Sequence, residues 1–249
     1  MNKNTNGFTF AFATSVVVVV AVLLSVAAIG LGPYQAKNVR LEKMQNILYS
    51  IGIKSEAKEA EALFNQMIKH QIVLDINGNP VKDDISAFDI DLKKEQDKAR
   101  TGEVDKQLFP LFVLSKDNNT YYVIPVRGKG LWGPIWGYIA LESDMNTIHG
   151  ASFGHKGETP GLGAEIETEA FQKQFVGKKI LDEQGGFVSV KLIKGGADPK
   201  DLHGVDAVSG GTVTSNGVTD MLYNTIRFYI PYFKNKEEQD LSKDPTGKI

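Results

Sequence analysis

Apolar residues run without a single charge from Phe8 to Gly32, including the unbroken stretch Val16–Leu24. As a helix, Phe10–Leu31 extends about 33 Å at ~1.5 Å per residue, which matches a hydrocarbon core of roughly 30 Å. A soluble helix has no use for an apolar surface all the way round, so the pattern predicts a retained transmembrane anchor. The competing reading is a cleavable signal peptide, with Ala27-Ala28 imitating a cleavage site. Its apolar region is longer than the typical ~7–15 residues, and its basic leader holds only Lys3. Orientation is not fixed by charge. Lys37, Arg40 and Lys43 follow the span and favour a cytoplasmic C-terminal part, but that rule weakens for long translocated domains. Residues 1–36 are therefore read as tail and anchor, and 37–249 as the globular region.

After the anchor the pattern changes period. Val39, Met44, Ile47, Leu48 and Ile51 recur near i, i+3, i+4, and Ala57, Ala60, Leu63, Phe64 and Met67 repeat the spacing. Two amphipathic helices joined near residues 52–55 follow from this as a helical connector. Asn77-Gly78, between Val73-Leu74 and Val81, reads as a tight turn. The polar run Asp89–Lys106 reads as a solvated face or loop. Phe109–Leu114 and Tyr121–Val126 are β-rich runs flanking Asp117-Asn118-Asn119, a hairpin signature. Trp136–Leu141 and Phe187–Ile193 are further strands, and Glu169–Phe175 a short helix. Strands and helices are segregated, which predicts an α+β domain with an antiparallel sheet. No internal repeat is visible.

The chain has 249 residues, 42% apolar and 23% charged, with Lys+Arg 28 against Asp+Glu 30. That balance argues against disorder and leaves no electrostatic footprint for nucleic acid. The absence of Cys excludes disulfides, thiolate nucleophiles and Cys-held iron–sulfur clusters. Electron chemistry would then need an organic cofactor, a haem or a metal held without Cys.

Two segments stand out chemically. In Asp206–Val218, hydroxyls and glycines alternate and a helical pattern then begins with Val218, Met221, Leu222, Ile226 and Tyr229. Glycine lets a backbone approach a ligand, and the N–H groups at a helix start favour phosphate. Thr214, Ser215 or Asn216 is the expected N-cap, and a turn that merely caps a helix is the simpler alternative. The second segment, Gly154–Gly163, crowds glycines and Pro160 around His155 and Glu158. A metal or acid–base pair is disfavoured, because the 4 His are never at HExxH spacing. A rigid loop offering backbone amides and Thr159 to a ligand competes with a plain surface loop.

The run Ser209-Gly210-Gly211-Thr212 resembles the flavinylation motif Ser/Thr-Gly-Ala-Thr of the FMN-binding domain family, with Gly211 where that family usually has Ala. The loop His155…Glu158-Thr159-Pro160-Gly161-Leu162-Gly163 resembles the family's second signature, and the resemblance covers essentially the whole chain. It implies covalent FMN on Thr212 through a phosphoester bond, with Ser209 and the Gly210-Gly211 backbone shaping the turn that a separate FAD-dependent flavin transferase recognises. The implied FMN-binding domain spans about 120–230. Leu162 and Trp132 are the candidates for packing on the flavin faces, with an ordinary core aromatic the competing reading of Trp132. Glu158, Thr159 and the Gly163 end of the loop are implied to hold the ribityl chain or ring edge, and Lys194 to neutralise the phosphate. No catalytic or metal-ligating residue is expected.

The implied role is an electron-relay subunit of a Na⁺-pumping NADH:quinone oxidoreductase in the bacterial inner membrane, with its globular part on the periplasmic side where the transferase works. The chain has no strand-linked GxGxxG for a nicotinamide, so NADH oxidation, the Na⁺ path and quinone reduction fall to partner subunits. The alternatives are the equivalent subunit of the Rnf ferredoxin:NAD⁺ complex and an anchored flavin-binding regulatory module without a redox role.

Overall fold

A computed structural model describes residues 6–82 and 85–243; Lys3 lies outside them. By internal contacts the chain divides into two units, Met1–Lys43 and Met44–Ile249. The first is occupied by α1 (Asn6–Ser50), one 45-residue helix that continues into the second unit. It is long and apolar enough to cross a membrane, and its most apolar window is wholly exposed. Pro33 lies within it without ending it, so anchor and first connector helix form one element. Beyond Val39, which is exposed, the stripe sinks inward at Met44, Ile47, Leu48 and Ile51. The chain then turns at Gly52, whose φ is +76°, and re-enters a helix, α2 (Ala57–Met67).

The second unit is built on a five-stranded antiparallel meander, β1 (Ile68–Leu74), β2 (Phe109–Lys116), β3 (Asn119–Lys129), β4 (Pro134–Leu141) and β5 (Ile148–His155), paired in chain order. The β2–β3 hairpin turns on Asp117 and Asn118, both at positive φ (50° and 64°), the handedness that matches strand twist. β2 and β3 read as continuous apolar runs because both faces of the sheet are covered. On one face Phe112 meets Phe64 of α2, ring centroids 6.3 Å apart, and Asn46 of α1 accepts a hydrogen bond from Ser152 of β5. On the other, Ile124, Val126, Ile135 and Ile139 join Val218, Met221, Leu222 and Ile226 in the main core. Those four come from α5 (Thr212–Ile226), which is followed by α6 (Ile230–Lys243). Between the helices Tyr229 is fully buried and donates its hydroxyl to the Pro110 carbonyl at 2.8 Å.

Several elements depart from the expectations. The polar run 89–106 contains a helix, α3 (Leu92–Arg100), because Asp91 caps the Lys93 N–H and Lys93–Asp97 and Lys98–Glu95 pairs lie one turn apart. Its outer face is solvated, as the composition suggests. Of Phe187–Ile193 only β6 (Lys191–Ile193) is a strand, and it pairs in parallel with β7 (Gly204–Asp206). Ser189 adopts a φ of 62°, and its N–H and that of Val188 both bond the Ile180 carbonyl, which interrupts extension. Two strands also lack a strand-like pattern. β1 is an edge strand whose Lys69, His70 and Gln71 face solvent, and β5 is rich in glycine because Gly150 lies against the Ser50 carbonyl of α1. The short α4 (Glu169–Lys173) lies where the sequence places it.

Candidate functional site

The Ser209–Thr212 motif is a turn feeding directly into α5. Gly211 N–H bonds the Val208 carbonyl at 3.0 Å, and Gly210, third in that turn, has a φ of 71°, where a side chain would be strained. Gly211 is the N-cap and Thr212 the first helical residue, so the helix starts earlier than a cap at Thr214, Ser215 or Asn216 requires. The reason is the use made of those hydroxyls. Ser215, buried, accepts from the Val208 N–H at 3.0 Å and so ties the turn to the helix. Thr214, also buried, donates to Glu158 Oε2 at 2.6 Å. Thr212 and Ser209 are exposed, and the Thr212 hydroxyl has no hydrogen-bond partner among the described residues. The Ala usual in the family at position 211 would bring its Cβ to 3.0 Å from Val208 Cγ1, a tight fit that glycine relieves.

Glu158 is the strut of the site. It is 5% exposed. Oε1 accepts the Trp132 N–H at 2.8 Å and Oε2 the Thr214 hydroxyl, so one carboxylate links the β3–β4 turn, its own loop and the start of α5. Burial pushes its pKa up, but the Thr214 hydroxyl and the amides of Trp132, Gly133 and Leu131 outweigh this and hold it below the ordinary value. Glycine is required around it: a Cβ on Gly130 would sit 2.6 Å from Oε1, and one on Gly163 would collide with Oε2 and the Thr214 hydroxyl. Glu158 thus stands behind the surface, bonded to this chain's own groups, rather than at an exposed edge. The Glu158 N–H donates to His155 Nδ1 at 3.1 Å, which leaves the ring proton on Nε2, 3.6 Å from Glu167.

Four large apolar side chains on the turn, loop and helix start that meet at the motif are exposed. Trp132 is 70% exposed, Leu131 54%, Val213 53% and Leu162 42%. Leu162 lies directly over the motif, its Cδ2 only 2.6 Å from where a Cβ on Gly210 would stand. Thr159 is exposed, and its carbonyl accepts from the Leu162 and Ala164 N–H groups, closing the loop on itself. Lys194 is exposed in the turn after β6. That strand is joined to the approach to the motif by the bond from Ala207 N–H to the Ile193 carbonyl, but no hydrogen bond or ion pair links Lys194 to the other site residues among those described. The structure therefore gathers Trp132, Glu158, Leu162, Gly163 and the motif, while Lys194 is an exposed side chain next to a strand that is bonded to the segment just before the motif. Leu131, Val213 and the strut role of Thr214 are not marked in the sequence, since exposure of an apolar residue leaves no trace in a hydropathy pattern. Among the described residues no group of three or more His, Asp or Glu side chains is placed to hold a metal.

Comparison with known proteins is consistent with this geometry. The FMN-binding domain family matches residues 130–227, from the β3–β4 turn to the end of α5. The C-subunit of a Na(+)-translocating NADH-quinone reductase from Vibrio vulnificus is 37% identical over 207 residues, covering 79% of this chain and 81% of that one. Its counterpart from Pseudomonas aeruginosa is 34% identical over 216 residues, covering 79% and 82%. The crystal structure of the Parabacteroides distasonis counterpart is similar at a TM-score of 0.72 and 42% identity, over 82% of this chain and 96% of that one.

Proposed function

This chain belongs to the C-subunit family of the Na(+)-translocating NADH-quinone reductase and is an electron-transferring, FMN-binding subunit of that multi-subunit complex, and we propose that it holds its FMN covalently, through a phosphoester to Thr212. The observation that carries this reading is the contrast among the motif's hydroxyls. Thr214 and Ser215 are buried and engaged, whereas Thr212 is exposed, unbonded among the described residues and at the first position of a 15-residue helix. At that position the free N–H groups and the positive end of the helix favour a phosphate ester.

The residues present fit the group. Trp132, Leu131, Leu162 and Val213 are exposed apolar side chains on the turn, loop and helix start that Glu158 and the motif bring together, and such side chains suit a flat aromatic ring. Glu158 holds the Trp132 turn and the start of α5 in register, while Thr159 offers an exposed hydroxyl at the rim. In the transfer itself Thr212 Oγ1 attacks the flavin-side phosphorus of FAD, the P–O bond to AMP breaks, and the hydroxyl proton passes to the transferase. FMN when bound supplies the electron chemistry, and the chain positions and tunes it. Expression with and without an FAD-dependent flavin transferase tests the reading. Flavin fluorescence should stay with the denatured chain only when the transferase is present; a chain that stays colourless with it would overturn the assignment.

Leu162 tunes rather than retains the flavin, because a tethered group cannot leave. Leu162→Ala should keep flavin content near that of the wild type and shift the midpoint potential. A change of about 1.4 kcal/mol in the relative stability of the reduced form corresponds to roughly 30 mV for a two-electron couple. A redox titration beside wild type measures it, and an unchanged potential would remove Leu162 from the flavin surface.

For topology, α1 is read as a retained anchor and the globular region as periplasmic, on the side where the transferase acts. Protease added to intact spheroplasts should digest the globular region. Full protection would place it in the cytoplasm.

A further inference from the structure

A groove of about 920 Å³ runs beside the site, between α3 and the face of α5 that carries Gly217 and Met221, with Phe228 just beyond that helix. Gly133 and Lys156 line it as well, and they belong to the same turn and loop as Trp132 and Glu158, so the groove opens next to the proposed flavin surface. Its floor is apolar, with Leu108, Phe109, Met221 and Phe228. Its rim is basic. Arg127, Lys129 and Lys156 make no ion pair among the described residues, and the Arg227 guanidinium lies 4.7 Å over the Phe228 ring. The lining carboxylates offset this only in part: Glu95 is held by Lys98 and by the Leu108 N–H, Asp97 is held by Lys93 and Arg100 and attracts Arg127 from further off, and Asp220 lacks such a partner among the described residues. One wall is the charged segment 92–107, attached to the sheet by the Gln96 side chain donating to the Arg127 carbonyl at 2.7 Å. A concentration of cations without salt bridges over an apolar floor, in a chain of net charge −2, calls for a complementary surface.

We propose that this groove docks an acidic segment of the redox partner, with apolar side chains on the floor and carboxylates on the Arg127, Lys156 and Arg227 rim, bringing the partner's electron carrier beside the flavin. The proposal rests on the reading of Thr212 as the FMN site. The test is the full-length Arg127→Glu/Arg227→Glu double variant, assembled in the membrane complex and compared with Arg127→Lys/Arg227→Lys. Covalent flavin per chain and its midpoint potential should equal those of the wild type. The rate of NADH-driven flavin reduction should fall by about tenfold, the charge-retaining pair should restore it, and only the wild type and that pair should slow with added salt. The acidic variant should also dissociate from the other subunits at lower salt than wild type. Wild-type rates and retention in the double variant would overturn the proposal. Loss of covalent flavin would overturn it too, by making the groove the transferase's landing surface. If the wild type itself carries no covalent flavin, the Thr212 reading fails, while retention in the complex still decides the groove.

Discussion

Thr212→Ala should abolish covalent flavin while leaving the fold untouched. The hydroxyl is exposed and makes no hydrogen bond with the described residues, and Ala is a better helix former at the first position of α5, so stability should change by no more than about 0.5 kcal/mol. Neighbouring hydroxyls do not rescue the site. Thr214 is 1% exposed and spends its proton on Glu158, and Ser215 is 1% exposed and accepts the Val208 N–H. Ser209 is the remaining exposed hydroxyl of the motif, and because it helps shape the recognised turn without accepting the flavin, Ser209→Thr is the matched control: it should keep flavin on the denatured chain. In-gel fluorescence of the denatured band, with thermal melting of the same samples, checks both. Fluorescence persisting in Thr212→Ala would mean that another residue accepts the flavin.

Glu158→Ala should do the opposite, damaging the fold of the site first and its flavin as a consequence. The substitution strands the Thr214 hydroxyl in a buried place and removes the acceptor of the part-buried Trp132 N–H, and an unpaired buried donor costs roughly 1–3 kcal/mol. A loss of about 3 kcal/mol follows, together with loosening of the turn that carries Trp132. Glu158→Gln should cost much less, because its oxygen can still accept from Trp132 while its amide donates to Thr214 Oγ1. The two variants also differ from wild type in acid. The folded-state pKa of Glu158 lies below its unfolded value, so its contribution is full above the unfolded pKa and is lost as pH falls through the folded one. Stability curves over the acid limb, below about pH 5, should therefore be flatter for Glu158→Gln than for wild type. An equally steep limb in both would mean that this carboxylate is not what acid titrates.

The parts of the molecule that the chain announces are those whose physical cause is local. The uncharged run from Phe8 to Gly32 needs no partner to be recognised as a membrane-crossing candidate, and Asp117-Asn118 adopts left-handed backbone by its own preference. The α5 stripe is legible because all of Val218, Met221, Leu222 and Ile226 face one core. The parts it conceals are set by what lies across space. β5 carries glycines because α1 presses on it at Gly150 and the Trp136 ring at Gly154, which erases the β-rich signal. α3 is not legible as a helix because it carries an Asp cap and charged pairs one turn apart rather than an apolar stripe, and the run reads equally as a solvated face or a loop. At the site, the motif and the 158–163 loop are readable as signatures, and the relatives that match are subunits of the Na⁺-translocating complex. Their joint is not readable. Nothing in the sequence says that Glu158 reaches 56 residues along the chain to Thr214.

Covalent attachment at Thr212 is decided by the intact mass of the natively expressed protein, followed by mass spectrometry of its peptides. The mass should be raised by one FMN less one water, with the added group on the peptide that contains Ser209–Thr212 and fragment ions placing it on Thr212. An unmodified mass, or the same addition on any other residue, would contradict the assignment.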